Sequence, residues 1–391
     1  MIDRIIEFSI RNKLVIGLFT LALIVFGVYS FQNLPVDAVP DITNNQVQVV
    51  TSSPSLAPQE VEQFITFPVE MAMANIQNVV EIRSISRFGL SVVTIVFKDR
   101  MDIHLARQLV KEQIDIAAEQ IPEGYGSPQM MPVTTGLGEI YQYVIQPQPG
   151  YEDKYDLMEL RTVHDWIVKR YLAGIPGIVE ISSFGGLFKQ YEVSVIPRNL
   201  VALDVTLDEI YKALQDNNQN TGGSYIEKNR DAYYIRTEGL LQSLDDIRSI
   251  VVKENNGVPV IISDLGEVKF GAPKRYGAMT KDGKGEVVGG ITLMLKGANT
   301  SEVLEDVKER VAEIQDILPE GLLIEPYLDR SGLIEKTTNT VTNNLMEGGL
   351  IVIFVLILLL GSYRSGLIVA SVIPLSMMFA FIMMRIFGVT A

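Results

Sequence analysis

Ile76-Gln-Asn-Val-Val-Glu-Ile-Arg-Ser84 returns 99 residues later as Ile175-Pro-Gly-Ile-Val-Glu-Ile-Ser-Ser183, with Ile, Val, Glu, Ile and Ser at matching places. In both copies a helical pattern ends, a turn follows and a strand pattern begins. Upstream of the first copy, Gln46-Val-Gln-Val-Val50 alternates polar and apolar residues as a half-buried strand does. Pro58 suits a first helical position, and Val61, Phe64, Ile65 and Val69 recur on one helical face. Val79 to Ser86 and Leu90 to Phe97 read as strands joined at Phe88-Gly89, followed by a helix from about Asp102 to Glu119 and a closing strand around residues 130–134.

The same order restarts near residue 137, with Ile140 to Ile145 as a strand and Asp156 to Ala173 as a helix. A repeat with this element order predicts two ferredoxin-like split β-α-β units, each carrying helices on one face of a sheet. The second unit is interrupted, and the interruption is expected between its second helix and last strand. Its late elements are a strand over Val287 to Leu295, a helix where Asn299 and Glu302 suit a capping box before Leu304, Val307, Val311 and Ile314, and a strand around Leu322 to Tyr327. Inserted material fills about residues 185–285. Within it, Asp216-Asn-Asn-Gln-Asn-Thr-Gly-Gly223 leads into Ser224-Tyr-Ile-Glu227 and the strand-like Ala232 to Arg236. A Gly-Gly tip between extended segments reads either as a protruding hairpin or as a flexible surface loop.

Apolar runs flank this external-looking region. Leu14 to Phe31 is 18 residues without a charge, about 27 Å as a helix and close to the hydrocarbon thickness of a bilayer. Arg4, Arg11 and Lys13 precede it, as in a signal peptide, but no small-x-small cleavage site follows, so it reads as a retained membrane helix. Two more runs, Gly348 to Tyr363 and Ser365 to Met384, are separated by Arg364. Uncharged Thr337 to Met346 extends the first of them upstream past Glu347, and Pro374 is expected to kink the second. The basic residues at the amino terminus and Arg364 place those ends in the cytoplasm and the long middle segment outside.

Composition sharpens this division. Hydrophobic residues make up 47% of the 391, yet the formal charge is -14. Residues 1–31 carry one net positive charge, Arg4, Arg11 and Lys13 against Asp3 and Glu7; residues 337–391 carry another, Arg364 and Arg385 against Glu347; the middle therefore holds -16. An acidic external region repels phosphate, which argues against nucleic acid as a partner, and attracts metal ions or organic cations. A merely solvated surface carries the same signature. There is no cysteine and there are two histidines, which excludes disulfides, thiolate clusters, a Cys nucleophile and a His-rich metal cage. No nucleophile–base pair, P-loop or dinucleotide fingerprint is present, because the Gly-Gly pairs at 185, 222 and 289 lack the residues that complete such motifs. An enzyme is not expected.

One membrane helix, about 300 external residues folded as a duplicated split β-α-β unit, and a return to the membrane resemble the amino-terminal layout of the resistance-nodulation-division efflux pumps. Six segments look most like the heavy-metal branch of that superfamily: Leu34-Pro-Val-Asp-Ala-Val-Pro-Asp-Ile42, Arg83-Ser-Ile-Ser-Arg-Phe-Gly-Leu-Ser91, Gly136-Leu-Gly-Glu-Ile-Tyr141, Gly185-Gly-Leu-Phe-Lys-Gln-Tyr191, Asn220-Thr-Gly-Gly-Ser-Tyr-Ile-Glu227 and Tyr327-Leu-Asp-Arg330. The resemblance implies a cytoplasmic amino terminus and first membrane helix over 1–33, porter subdomains over 34–135 and 136–335, the latter with a docking insertion at about 185–285, and membrane helices over 336–363 and 364–391. It implies a trimer arm from Asn217 to Glu238, including Asn220, Gly222, Gly223, Tyr225 and Glu227. It further implies a homotrimer in the lipid of the bacterial inner membrane, a periplasmic adaptor, an outer-membrane channel and the proton gradient as energy source. Metal cations and protons are then substrates, and no cofactor is expected. Members of the family are about a thousand residues long, and the apolar runs here contain no ionisable residue of the kind a proton relay needs. The sequence therefore reads as the amino-terminal part of a longer pump, with the relay outside it.

Exchangeable transport calls for weak ligands: carboxylate and imidazole suit zinc or cobalt, thioether suits copper(I) or silver. Glu139, beside Gly138 at the junction of the two copies, is the first candidate, with His164 and Asp165 on the following helix. Neighbouring helical residues point about 100° apart, so at most one of that pair is expected to join Glu139. Ordinary surface charge accounts equally for such residues. Methionines at Met71/Met73, Met130-Met131, Met377-Met378 and Met383-Met384 fit either a soft-metal path or core filling. The lean toward cobalt, zinc and cadmium rests on the resemblance around Asp37 and Glu139. A copper/silver or multidrug pump of the same superfamily, or a membrane-anchored periplasmic sensor or scaffold, is the alternative.

Overall fold

The computed structural model describes residues 2–32, 42–229, 231–237, 239–255 and 257–387. Residues 34–41 of the Leu34–Ile42 segment, including Asp37, together with Glu238 and 388–391, lie outside the described residues.

The first repeat builds one sheet from β1 (Gln46–Ser52), β2 (Val79–Arg87), β3 (Leu90–Phe97) and β4 (Gln129–Met130), in the order β2-β3-β1-β4. Strict alternation along β1 buries Val47, Val49 and Thr51 on one face, where the helices 58–73 and Ile103–Ala118 cover them with Val61, Ile65, Val69, Ala106, Val110 and Ile114. Asp102 starts the second helix by accepting from the Leu105 N–H at 2.9 Å. β4 is shorter than the expected 130–134 strand. Met131 N–H still bonds Gln48 O at 2.9 Å, but Pro132 has no N–H with which to continue a ladder.

The second sheet contains β5 (Glu139–Pro147), β6 (Ile178–Phe184), β13 (Val288–Met294) and β14 (Leu322–Asp329), in the order β14-β5-β13-β6. Numbered within each repeat, both sheets have the order fourth, first, third, second. Helices 157–172 and Thr300–Ile317 pack Leu160, Val168, Leu172, Val303, Leu304, Val307 and Ile314 against Ile140, Ile145, Ile181 and Ile324. Asn299 caps the later helix through the Ser301 N–H at 3.2 Å, without the expected Glu302 box.

The interruption does not fall between the second helix and last strand as expected. It lies between β6 and β13, the second and third strands, at the place occupied by the tight Phe88-Gly89 turn in the first repeat. These two strands are direct neighbours, with Phe184 opposite Gly289. A long excursion from paired strand ends leaves the sheet intact and costs mainly loop-closure entropy, which grows slowly with length. The excursion leaves through β7 (Gln190–Val195) and returns through β12 (Gly266–Gly271), which pair antiparallel. Between them lie β8 (Thr221–Lys228) paired with β9 (Asp231–Thr237), and β10 (Val251–Asn255) paired with β11 (Val258–Ile261). Val205, Ile210, Ile247, Ile250, Ile262, Leu265 and Val268 give the insertion a core of its own.

Among the described residues, three helical stretches are long and apolar enough to cross a membrane: Lys13–Phe31, Ser331–Leu359 and Gly366–Phe387. The second begins at Ser331, well before Gly348, because nothing between them breaks the helix. It ends at Gly361, in the left-handed region at φ 60°. The third is broken at Ser371, just ahead of Pro374, which lacks the N–H that would bond the Ala370 carbonyl. The first and third pack through Gly27 against Met378 and Phe31 against Phe381, with ring centroids 5.0 Å apart.

Candidate functional site

Glu139 opens β5 at the junction of the two repeats. Gly138 makes the tight entry: its N–H bonds Thr135 O at 2.9 Å, and a Cβ there would lie 3.1 Å from that oxygen and 3.2 Å from Met294 O. Glu139 is exposed, and its Oε2 accepts from Gln142 Nε2 at 2.7 Å. Across the strand pair, β14 brings Tyr327 and Asp329 to the same edge, with Asp329 opposite Tyr141. Burial, reinforced by the Glu139 charge, raises the Tyr327 phenol above its ordinary pKa, so it stays protonated. Burial and Asp329 push Tyr141 up to about 12. Asp329 itself is held below the usual carboxylate range: burial opposes ionisation, but hydrogen bonds from Lys308 and Ser331 and the Lys308 charge outweigh it, the Lys308 Nζ lying 2.6 Å from Oδ2. Asp329 is thus neutralised by a partner, while Glu139 presents a carboxylate steadied by a neutral amide. This edge can offer one hard oxygen ligand to a divalent cation.

His164 and Asp165 do not join it. Among the described residues no group of three or more His, Cys, Asp or Glu is placed to hold a metal ion. The joint ligand set expected from sequence is therefore not formed, because His164 turns into the protein. It is fully buried, with Nε2 3.1 Å from the Tyr143 hydroxyl and Nδ1 3.1 Å from Asp165 Oδ1. Asp165 accepts in addition from Arg161 Nε at 2.8 Å and Ser183 Oγ at 2.7 Å. Both side chains serve the helix–sheet contact, and neither joins Glu139. The reason is local: residues His164–Val168 form a π turn, which rotates successive side chains less than an α-helix does. The first repeat has its own π turn at Glu62–Thr66, where Thr66 Oγ1 meets Ser86 Oγ and Ser91 Oγ, each at 2.8 Å.

Burial lowers the His164 pKa more strongly than the Asp165 hydrogen bond and charge raise it, with Arg161 and Lys169 lowering it further. The imidazole is neutral, so the Nδ1 proton goes to Asp165 and Nε2 accepts from the Tyr143 hydroxyl. Burial opposes ionisation of Asp165, but bonds from His164, Ser183 and Arg161 overcome it and hold the carboxyl far below its ordinary range. The sign for His164 follows: a folded pKa below the unfolded value of about 6.5 stabilises the fold above that pH, and stability is lost as pH falls below it. Urea midpoints of the full chain in detergent are expected to drop between pH 7 and pH 5, and His164→Gln is expected to flatten that slope. An unchanged slope would remove His164 as its source.

Sequence reading missed Tyr143, Arg161, Ser183 and Gly290 as members of this network. Gly290 carried the one available signal: a glycine inside a strand marks a close approach. A Cβ there would lie 2.5 Å from the Tyr143 hydroxyl and 2.6 Å from His164 Nε2. Gly290→Val is expected to destabilise the chain by about 3 kcal/mol through overpacking, read from thermal unfolding by the fluorescence of the single tryptophan, Trp166. Gly174→Ala, at a position with nothing within 4 Å, is the neutral control. Equal melting temperatures for the two variants would contradict the packing argument.

The residues expected to form an arm lie on and below the β8–β9 hairpin. Asn217 Nδ2 bonds Ala213 O at 2.8 Å, ending the helix Leu207–Asp216, and Asn220 Oδ1 accepts from Gly239 N–H at 3.0 Å, tying the hairpin base. Gly222 and Gly223 are not at the tip. They lie in β8, where a Cβ on Gly223 would meet Ile235 O at 2.7 Å, and the turn instead follows Asn229, at φ 56°. Tyr225, Ile226, Tyr233 and Tyr234 are exposed, Tyr234 by 85%, and Glu227 lies opposite Ala232.

The fold, with its helices long and apolar enough to cross a membrane, is that of the AcrB/AcrD/AcrF family, to which the chain belongs: the family model matches residues 5–391. The resemblance to resistance-nodulation-division pumps is thereby borne out. The chain is 43% identical to the cation efflux system protein CzcA of Alcaligenes sp. (strain CT14), covering 97% of this chain and 36% of the relative. It is 43% identical over the same shares to the cobalt-zinc-cadmium resistance protein CzcA of Cupriavidus metallidurans. With the cation efflux system protein CusA of Escherichia coli (strain K12) it shares 37% identity over 100% of this chain and 37% of that one. A crystal structure of a heavy metal efflux pump superposes with a TM-score of 0.88 at 36% identity, covering 99% of this chain and 38% of that chain. The chain thus spans between 36% and 38% of the length of these proteins.

Proposed function

We propose that residues 1–391 are the amino-terminal part of the inner-membrane subunit of a proton-driven tripartite heavy-metal efflux pump. It exports divalent cations such as cobalt, zinc or cadmium by alternating access in a homotrimer. The exposed Glu139 carboxylate at the junction of the two repeats carries the reading, since it offers a hard, exchangeable oxygen ligand within an acidic external region. The higher identity to the CzcA proteins than to CusA points the same way.

In this reading residues 34–135 and 136–335 are ferredoxin-like porter subdomains in the periplasm, and the insertion within the second is a docking domain. The cytoplasmic amino terminus and first membrane helix are residues 1–33, with further membrane helices over 336–363 and 364–391. Partners are two further copies of the chain, a periplasmic adaptor, an outer-membrane channel and the surrounding lipid. The cation and protons are substrates, no cofactor takes part, and no catalytic residue is assigned.

A copper or silver path gains little from the methionines. Met73 is buried in the first core, Met130 packs against it, and Met378 lies against Gly27. The test is the pattern of tolerance in a metal-sensitive host expressing the gene with its adaptor and channel. Tolerance to cobalt, zinc or cadmium is expected; tolerance to copper or silver alone would replace the divalent reading.

A further inference from the structure

The insertion and the second repeat meet at a polar joint. The buried residues of their two cores are separate sets, and the chain passes between them at residues 184–190 and 271–288. Both crossings are gathered by one chain of contacts that begins on helix 157–172. Asp165 pairs with Arg161, whose Nη1 donates to Gly185 O at 2.8 Å. The next residue, Gly186, donates its N–H to Glu286 Oε1 at 3.2 Å, and Arg275 pairs with Glu286 while donating to Gly186 O at 3.4 Å. Leu187 N–H bonds Leu157 O at 3.3 Å, and Val287 N–H bonds Met279 O at 2.8 Å. The outgoing crossing, the returning crossing and the first turns of the helix are thus joined at one point.

Two glycines make the point possible. Gly185 and Gly186 have φ of 72° and 69°, and a Cβ on either would meet backbone oxygen, Val287 O for the first and Leu157 O for the second. Arg161, Asp165 and Glu286 are largely shielded, with side chains 20%, 17% and 18% exposed. Polar joints between separately packed bodies can re-pair without exposing apolar surface, which is the usual construction where two bodies move relative to each other.

We infer that the Asp165–Arg161–Gly185/Gly186–Glu286–Arg275 chain is a latch that couples the position of helix 157–172 to the orientation of the insertion. Displacing that helix withdraws Arg161 from the Gly185 carbonyl and loosens both crossings at this point. With the latch closed, the insertion follows the second repeat as one body; with it open, the crossings 184–190 and 271–288 remain as the connection, the second of them still paired to β14 through Lys281 and Glu325. This inference does not depend on which cation is carried.

Hydrogen exchange of the full chain in lipid nanodiscs tests it. Arg161→Gln and Arg275→Gln are each expected to raise exchange about tenfold in peptides covering the crossings, 185–189 and 272–287, while the β7–β12 ladder stays protected. Exchange in 140–147 and 300–317 is expected to stay within twofold of the unmodified chain. The double variant is expected to exceed neither single variant, because both act on one chain of contacts. Arg161→Lys, which keeps a charge beside Asp165 but shortens the reach to Gly185, guards against a general loss of folding and is expected to reproduce the local effect. Unchanged exchange in the crossing peptides, a rise shared equally by 140–147 and 300–317, or additive effects in the double variant would each overturn the latch.

Discussion

Glu139→Ala is expected to lower the concentration of cobalt, zinc or cadmium that expressing cells tolerate by about tenfold or more, equivalent to about 1.4 kcal/mol of lost cation binding. Protein in the membrane should be unchanged, because Glu139 is exposed and its side-chain hydrogen bond, from Gln142, belongs to the same surface. Glu139→Gln preserves shape and an oxygen acceptor but not the charge, so it should fall between alanine and the unmodified protein. Glu139→Asp keeps the charge on a shorter stem and separates charge from reach. Tolerance equal to the unmodified protein in the alanine variant, at equal expression, would remove Glu139 as a ligand.

Replacing residues 221–237 by a short Gly-Ser turn is expected to convert the proposed trimer into monomers at micromolar concentration. A lone two-stranded hairpin is marginal in water, and this one displays Tyr225, Ile226, Tyr233, Tyr234 and Ile235 to solvent. Tyrosines are the residues that most often carry interface energy. Among the described residues the insertion's core contains none from β8 or β9, so the variant should keep its fold while losing its partners. Sedimentation of the detergent-solubilised protein distinguishes the outcomes: a persisting trimer would show that the hairpin is not what holds it. The milder Tyr225→Ser/Tyr234→Ser pair should weaken assembly in the same direction.

The architecture was legible because its signals are periodic. Alternation at Gln46 to Val50, helical spacing from Val61 to Val69, and the repeated Ile76 and Ile175 segments all became the elements they suggested, since each pattern also buries its apolar face. Each misreading has its own physical cause. The place of the insertion depends on which strands pair, and the β6–β13 register is a long-range contact that neither segment announces alone. The Gly-Gly pair was read as a tip, but its glycines answer to the approach of Ile235 across β8–β9. His164 and Asp165 looked like ligands because their types suit a metal; a π turn and full burial of the imidazole assign them to helix–sheet cohesion instead. Helical spacing marks the Arg161–Asp165 i,i+4 pair, but nothing in one-dimensional spacing marks the approach of Arg161 and Glu286 to the backbone of Gly185 and Gly186.

Export of divalent cations is tested most directly by metal content. Cells expressing the gene with its adaptor and channel are loaded with zinc, and retained zinc is followed by mass spectrometry with and without an agent that collapses the proton gradient. A divalent-cation exporter driven by protons loses zinc faster than cells with an empty vector, the difference disappears when the gradient is collapsed, and Glu139→Ala removes it as well. Zinc loss no faster than in the vector control, at confirmed expression, would contradict the proposed function.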